Sequence, residues 1–116
     1  MRIRLTVNGT AFTAVPADND AARALLSRLP ASWTMKELNG NEKYVYLSEG
    51  FPAEPKRPDR IHAGDLMLYG TDCIVLFYRD FSTTFRYTPL GRIDDPSGLA
   101  QAAGRGTAHV TAELTE

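Results

Sequence analysis

Alternating apolar and polar residues dominate the chain and predict a structure made mainly of short β-strands. Residues 2–7 alternate strictly, with Ile3, Leu5 and Val7 on one face, which is typical of a half-buried strand. An Asn-Gly dipeptide follows and favours a tight hairpin turn, so residues 11–15 are predicted to return as a second strand. By the same reasoning, further strands are predicted over residues 32–38, 42–47, 65–69, 73–79, 84–88 and 107–114.

Two short helices interrupt this series of strands. The first has apolar residues at helical spacing, with Asp18 or Asn19 as its predicted N-cap, and it ends before the next proline. The second is predicted to begin with Asp95 as N-cap and Pro96 at the first helical position, and to end at Gly104.

The predicted element order is ββαβββββαβ, with eight strands and two helices. Strands this short and numerous are costly to leave with open edges, so we expect a closed eight-stranded antiparallel barrel with two short helices. A chain of 116 residues is long enough for one core, and residues 1–116 are therefore expected to form a single domain.

Composition narrows the range of partners. The chain is 43% hydrophobic and 23% charged, as in ordinary globular proteins, and its net charge of −1 has no single-sign block. We therefore expect no nucleic-acid and no membrane-surface partner. A single cysteine excludes an internal disulfide, no signal-like apolar stretch begins the sequence, and a cytoplasmic location is the default expectation.

Two stretches are the best candidates for binding. The loop over residues 49–63 contains three prolines, and loops of this length in compact domains are often lids or binding loops. Residues 64–93 hold most of the aromatic side chains, and the strand predicted at 73–79 is apolar on both faces. Such a strand is expected to be covered on both faces, by the core on one side and by a loop, helix or ligand on the other.

The order of elements resembles that of cyclophilins, whose eight-stranded barrel carries two helices. The run Leu90-Gly91-Arg92-Ile93, followed by a helix and an apolar last strand, looks like the end of a cyclophilin chain. Nearly the whole chain more closely resembles a small prokaryotic cyclophilin-like domain family of uncharacterised function, in residues 38–44, 61–70 and 77–93. The resemblance implies a cyclophilin-like barrel.

Resemblance to the cyclophilin isomerases is lower at the positions that carry catalysis. Their groove uses a strand-borne arginine and a glutamine, and residues 32–47 contain neither. Tyr87 stands about where those enzymes have a histidine. The fold alone does not assign an activity, and we expect no evident catalysis.

A few side chains are candidates for chemistry. His62 precedes Asp65 by three residues and is either a general acid–base or a polar loop residue. Arg79 either forms a solvated ion pair with Asp80 or projects into a groove and polarises a carbonyl. Cys73 is expected to be a buried structural residue. The histidines are isolated in the sequence, so neither a metal nor another cofactor is predicted.

Three functions remain open at this point. The first is binding of a peptide or small molecule in an aromatic groove, without catalysis. The second is a weak peptidyl-prolyl isomerase that uses Arg79, and the third is a structural or interaction module with an exposed aromatic patch. The oligomeric state is not predicted. The proposed ligand-binding residues are Tyr46, Phe51, Arg79, Phe81 and Tyr87.

Overall fold

The chain folds into ten β-strands and two short helices within residues 1–115, the part that this computed structural model describes. In chain order the elements are β1 (Arg2–Val7), β2 (Thr10–Pro16), α1 (Asp20–Ser27), β3 (Ala31–Leu38), β4 (Glu42–Tyr46), β5 (Arg60–Ile61), β6 (Asp65–Tyr69), β7 (Cys73–Phe77), β8 (Phe81–Ser82), β9 (Thr88–Ile93), α2 (Leu99–Ala103) and β10 (Ala108–Thr115).

Eight of these strands form a closed barrel in the order β1-β10-β3-β4-β7-β6-β9-β2, with β2 pairing back to β1. All neighbouring pairs are antiparallel, so each barrel strand has partners on both edges. The expected closed eight-stranded antiparallel barrel with two short helices is confirmed. The two remaining strands, β5 and β8, pair with each other outside the barrel.

The barrel interior is filled by alternate side chains from its strands. Ile3 and Leu5 on β1, Leu68 on β6 and Ile74 on β7 are completely buried there, and Leu25 of α1 packs against the same cluster. Burial of each such side chain contributes about 1.5–3 kcal/mol, so this cluster is the main source of stability.

A second, smaller apolar cluster lies on the outer face of β6 and β7. Strand β7 is buried on both faces, as expected from its apolar pattern. The β5–β8 pair and the segment around Tyr87 cover this outer face. The buried members of the cluster are Ile61, Met67, Cys73, Val75, Phe77 and Tyr87.

The prediction of a strand at residues 84–88 is wrong, because the barrel strand in this region is Thr88–Ile93. Its Pro89 and Gly91 weaken the strand signal in the sequence. Pro89 is tolerated at a shift of register against β6, and Gly91 is required because a Cβ there would lie 2.8 Å from the carbonyl oxygen of Val15. Residues 84–86 instead form irregular backbone, and Tyr87 makes only an isolated bridge to Lys56.

Other boundaries also differ from those predicted. Strand β7 ends at Phe77 instead of continuing to residue 79. The loop at 49–63 contains the short strand β5, which pairs with β8 through Arg60–Ser82 and Ile61–Phe81.

The two helices begin differently. In α1 the side chain of Asn19 accepts a hydrogen bond from the backbone N–H of Ala22 at 2.8 Å, which confirms one of the two predicted caps. In α2 the predicted cap is wrong, because the helix begins after Gly98, and Asp95 instead accepts the backbone N–H of Ser97 in a preceding turn. Gly104 ends α2 as predicted. Within residues 1–115, neither helix has the length and apolar character needed to cross a membrane.

Candidate functional site

A cavity of about 720 Å³ lies on the outer face of the barrel, next to the second apolar cluster. Alternation along β4 places Glu42, Tyr44 and Tyr46 on this outer face, where Tyr44 pairs with Val75 and Tyr46 with Cys73 of β7. The segment after β7 forms the opposite side. The lining residues are Leu38, Asn39, Asn41, Glu42, Tyr44, Tyr46, Tyr69, Cys73, Val75, Phe81, Ser82, Thr83, Thr84, Phe85 and Tyr87.

Six aromatic rings give this cavity its shape. Tyr69 lies at the centre of one group, with its ring centroid 6.2 Å from that of Phe85 and 5.7 Å from that of Tyr87. Tyr44 and Tyr46 meet edge to face at 6.0 Å on the other side. The Tyr44–Tyr46 and Tyr69–Phe85 contacts are edge to face, an arrangement that aromatic pairs prefer, so neighbouring rings of the cavity support each other's orientation.

Glu42 places a carboxyl group in this aromatic setting. The residue is 9% exposed, and within residues 1–115 its side chain forms neither a hydrogen bond nor an ion pair. Burial, with a smaller contribution from the charge of Glu37, raises the pKa of Glu42 from 4.5 to about 7. Next to it, the side-chain oxygen of Asn41 is buried without a hydrogen-bond partner in the described part of the chain.

Lys43, which follows Glu42 directly, cannot act as its partner. Its side chain points to the opposite face of β4, is fully buried, and donates to Glu37 at 2.9 Å and to the carbonyl oxygens of Gly104 and Gly106. Tyr78 also donates to Glu37, at 2.6 Å. Burial opposes ionisation of Glu37, but these hydrogen bonds outweigh it and lower the pKa of Glu37 below its ordinary value.

Two further titratable groups of the cavity, Cys73 and Tyr87, stay protonated at neutral pH. Burial raises the pKa of the Cys73 thiol to about 11 and that of the Tyr87 hydroxyl to about 12. A thiol with so high a pKa is a poor nucleophile. Cys73 is 3% exposed, which agrees with its predicted burial.

The model of a family described as the cyclophilin-like family matches residues 5–114. The chain belongs to the cyclophilin-like family. No curated protein and no solved structure matched the chain.

Three of the five proposed ligand-binding residues of this cyclophilin-like barrel line the cavity: Tyr46, Phe81 and Tyr87. Phe51 lies elsewhere, packed against the interior cluster with the guanidinium of Arg28 3.9 Å from its ring centroid. Arg79 lies beside a separate depression, and its Nε donates to the carbonyl oxygen of Gly40 at 3.0 Å. Ligand contact by any of these residues stays a prediction.

His62 is also outside the cavity of the cyclophilin-like barrel. Its backbone N–H donates to Asp65 at 2.9 Å, while its imidazole Nδ1 lies 3.9 Å from the same carboxylate. The other oxygen of Asp65 accepts from Arg92 at 2.8 Å. The buried Asp65 therefore anchors the turn into β6, and a catalytic role of His62 stays a prediction.

Sequence reasoning did not propose Glu42, Asn41 or Phe85 as part of the site. Glu42 could have been found, because it shares the strand face of Tyr44 and Tyr46 in the alternating pattern of residues 42–47. Tyr69 and Phe85 are brought together only by the fold, since they are contributed by β6 and by the irregular segment before β9.

Proposed function

We propose that this cyclophilin-like barrel binds a peptide or a small organic ligand in the aromatic cavity, without catalysing its conversion. The observation that supports the proposal is the cavity itself, with a volume of about 720 Å³ and walls of aromatic side chains. Ligand sites are typically cavities of roughly 300–1,000 Å³, lined by apolar and aromatic groups with a few polar ones. Here the polar residues of the lining include Asn39, Asn41, Glu42 and residues 82–84.

The partly exposed rings favour binding over a purely structural role for this surface. Tyr46 is 63% exposed and Phe85 59% exposed, and both border the cavity. Large apolar side chains left in water around a concave surface are typical of interaction sites. A ligand that covers them gains the free energy of removing this apolar surface from water.

Binding is tested by recording amide shifts in ¹H–¹⁵N spectra while small aromatic fragments, such as indole and phenol, and a proline-containing tetrapeptide are added. We expect shifts concentrated at Tyr44, Tyr69 and Phe85, and weaker binding in Phe85→Ala. Leu114→Ala is the matched control, because Leu114 is 45% exposed on β10 and does not line the cavity. Shifts spread evenly over the surface, or equal effects of both substitutions, would contradict the proposal.

Proline isomerisation has less support. Cyclophilins use an arginine to polarise the prolyl carbonyl, and no arginine occurs among the residues that line the cavity. In a protease-coupled isomerisation assay we expect a rate at background under conditions in which a cyclophilin control is active. A rate above background that is lost in Arg79→Ala would contradict this expectation and favour the isomerase.

A further inference from the structure

We propose that the cavity binds an organic cation, an ammonium group on an aromatic or aliphatic body, with the Glu42 carboxylate as its counter-ion. The rings that share the cavity with Glu42 would surround the ammonium group. This inference rests on the proposed function, because it names the chemical class of the ligand that the same cavity takes.

The first argument is the charge of the lining. Its residues include one carboxylate, Glu42, and no lysine, arginine or histidine. A carboxylate removed from water without a counter-ion is costly, and this cost is reduced when a cation arrives beside it. An anionic ligand would instead meet an unpaired carboxylate of the same sign.

The second argument is the aromatic wall. Cations are attracted to the faces of aromatic rings, and recognition of ammonium groups commonly uses several rings around one site. Tyr44 lies two residues from Glu42 on the same strand face, and Tyr87 is close enough for the charge of Glu42 to raise its pKa. The carboxyl group and the rings can therefore contact one bound group.

The third argument is that nearby cations of the protein have other partners. Lys43 is fully buried on the opposite face of β4, where it binds Glu37 and two backbone carbonyls. Arg79 donates to the carbonyl oxygen of Gly40. Neutralisation of Glu42 by either of them would break these contacts, whereas a ligand from solvent breaks none.

Binding of a permanent cation should depend on pH through Glu42. Four titratable groups interact with its charge: Cys73 from β7 and Tyr87, which line the cavity with it, and Glu37 from β3 with its donor Tyr78, which lie with Lys43 on the opposite face of β4. The pKa of Glu37 is lowered, and those of Cys73, Tyr78 and Tyr87 are about 11, 12 and 12. Since Glu42 has a pKa of about 7, its ionised fraction grows about tenfold between pH 6 and pH 8.

The experiment is isothermal titration with benzyltrimethylammonium, benzyl alcohol and phenylacetate at pH 6 and pH 8. We expect the cation to bind about tenfold more tightly than the alcohol at pH 8, and about tenfold more tightly at pH 8 than at pH 6. Phenylacetate should bind most weakly. Nα-acetyl-trimethyllysine amide is titrated alongside these compounds. If it binds more tightly than benzyltrimethylammonium, the ligand is an ammonium group carried by a peptide; if it binds more weakly, the ligand is a free organic cation.

The variants separate the carboxylate from the rings. Glu42→Gln should remove the preference for the cation and its pH dependence, whereas Glu54→Gln, at an exposed position outside the cavity, should leave both unchanged. If Glu42→Gln does not fold, as judged by circular dichroism, Phe85→Ala takes its place, because Phe85 is 59% exposed. That variant should bind the cation about threefold more weakly.

Equal affinity for cation and alcohol, an unchanged preference in Glu42→Gln, or absence of cation binding would each overturn the inference. If the neutral aromatic fragments still shift the cavity residues in the spectra, only the assignment of charge fails. If neither fragments nor cations bind, the proposed function fails with it.

Discussion

Replacement of Glu42 by glutamine is expected to change how the stability of the protein depends on pH. In the unfolded chain this carboxyl group has an ordinary pKa near 4.5, but burial raises its pKa to about 7 in the folded protein. The folded state therefore binds more protons between these two pH values, and stability falls as pH rises through this window. Glutamine has nearly the shape of protonated glutamate but lacks the titratable carboxyl group.

The magnitude follows from the difference between the two pKa values. The interval from 4.5 to about 7, at 1.36 kcal/mol for each unit of pKa, corresponds to about 3 kcal/mol as an upper limit. Water in the open cavity screens part of this cost, and the interval from pH 5 to pH 8 covers only part of the titration. We therefore expect the free energy of unfolding of the wild type to fall by about 1–2 kcal/mol relative to Glu42→Gln over that interval.

The assay is urea unfolding of the wild type, Glu42→Gln and Glu54→Gln at pH 5, 6, 7 and 8. At each pH, the free energy of unfolding of the variant is subtracted from that of the wild type, because the contributions of all other titrating groups cancel in this difference. Glu54 is exposed, so Glu54→Gln should track the wild type at every pH. If the difference in free energy of unfolding between the wild type and Glu42→Gln stays constant within about 0.5 kcal/mol from pH 5 to pH 8, the argument that burial raises the pKa of Glu42 is refuted.

Three further predictions concern the barrel and its buried groups. Gly91→Ala should destabilise the protein by about 1–3 kcal/mol in urea unfolding, because the new Cβ would lie 2.8 Å from a backbone oxygen, whereas Gly106→Ala, with open space around it, should cost less than about 1 kcal/mol. Lys43→Met should cost about 1–3 kcal/mol in the same assay, because it removes one partner of the partly buried Glu37 and the donor to the carbonyl oxygens of Gly104 and Gly106, and a loss below about 0.5 kcal/mol would show that these contacts are not needed. Cys73 should react with a thiol reagent at pH 8 far more slowly in the native protein than in urea, and equal rates would contradict its burial and its pKa of about 11.

The strand pattern predicted most of the barrel because its strands alternate or are wholly apolar. The pattern failed at β9, where Pro89 and Gly91 reduce the strand signal. These residues suit the register shift against β6 and the close approach to β2, which are properties of the assembled sheet. A local pattern does not contain that information.

The lining of the cavity was likewise predicted only where a local pattern indicated it. The aromatic strand face of residues 42–47 indicated Tyr46, and the aromatic segment after β7 indicated Phe81 and Tyr87. The sequence could not show that Arg79 would bind a carbonyl oxygen away from the cavity, because that contact joins two turns distant in the chain. The role proposed for Glu42 rests on its burial in the folded chain, which the alternating pattern of residues 42–47 does not reveal.

Strand β7 carries a further consequence for how such a protein can diversify. Ile74 and Leu76 point into the barrel, whereas Cys73 and Val75 border or underlie the cavity. The side chains of the barrel core and those of the proposed ligand site thus occupy interleaved positions of one strand. If the cavity binds a ligand as proposed, substitutions at the outward positions would alter its surface while the inward residues preserve the packing of the barrel.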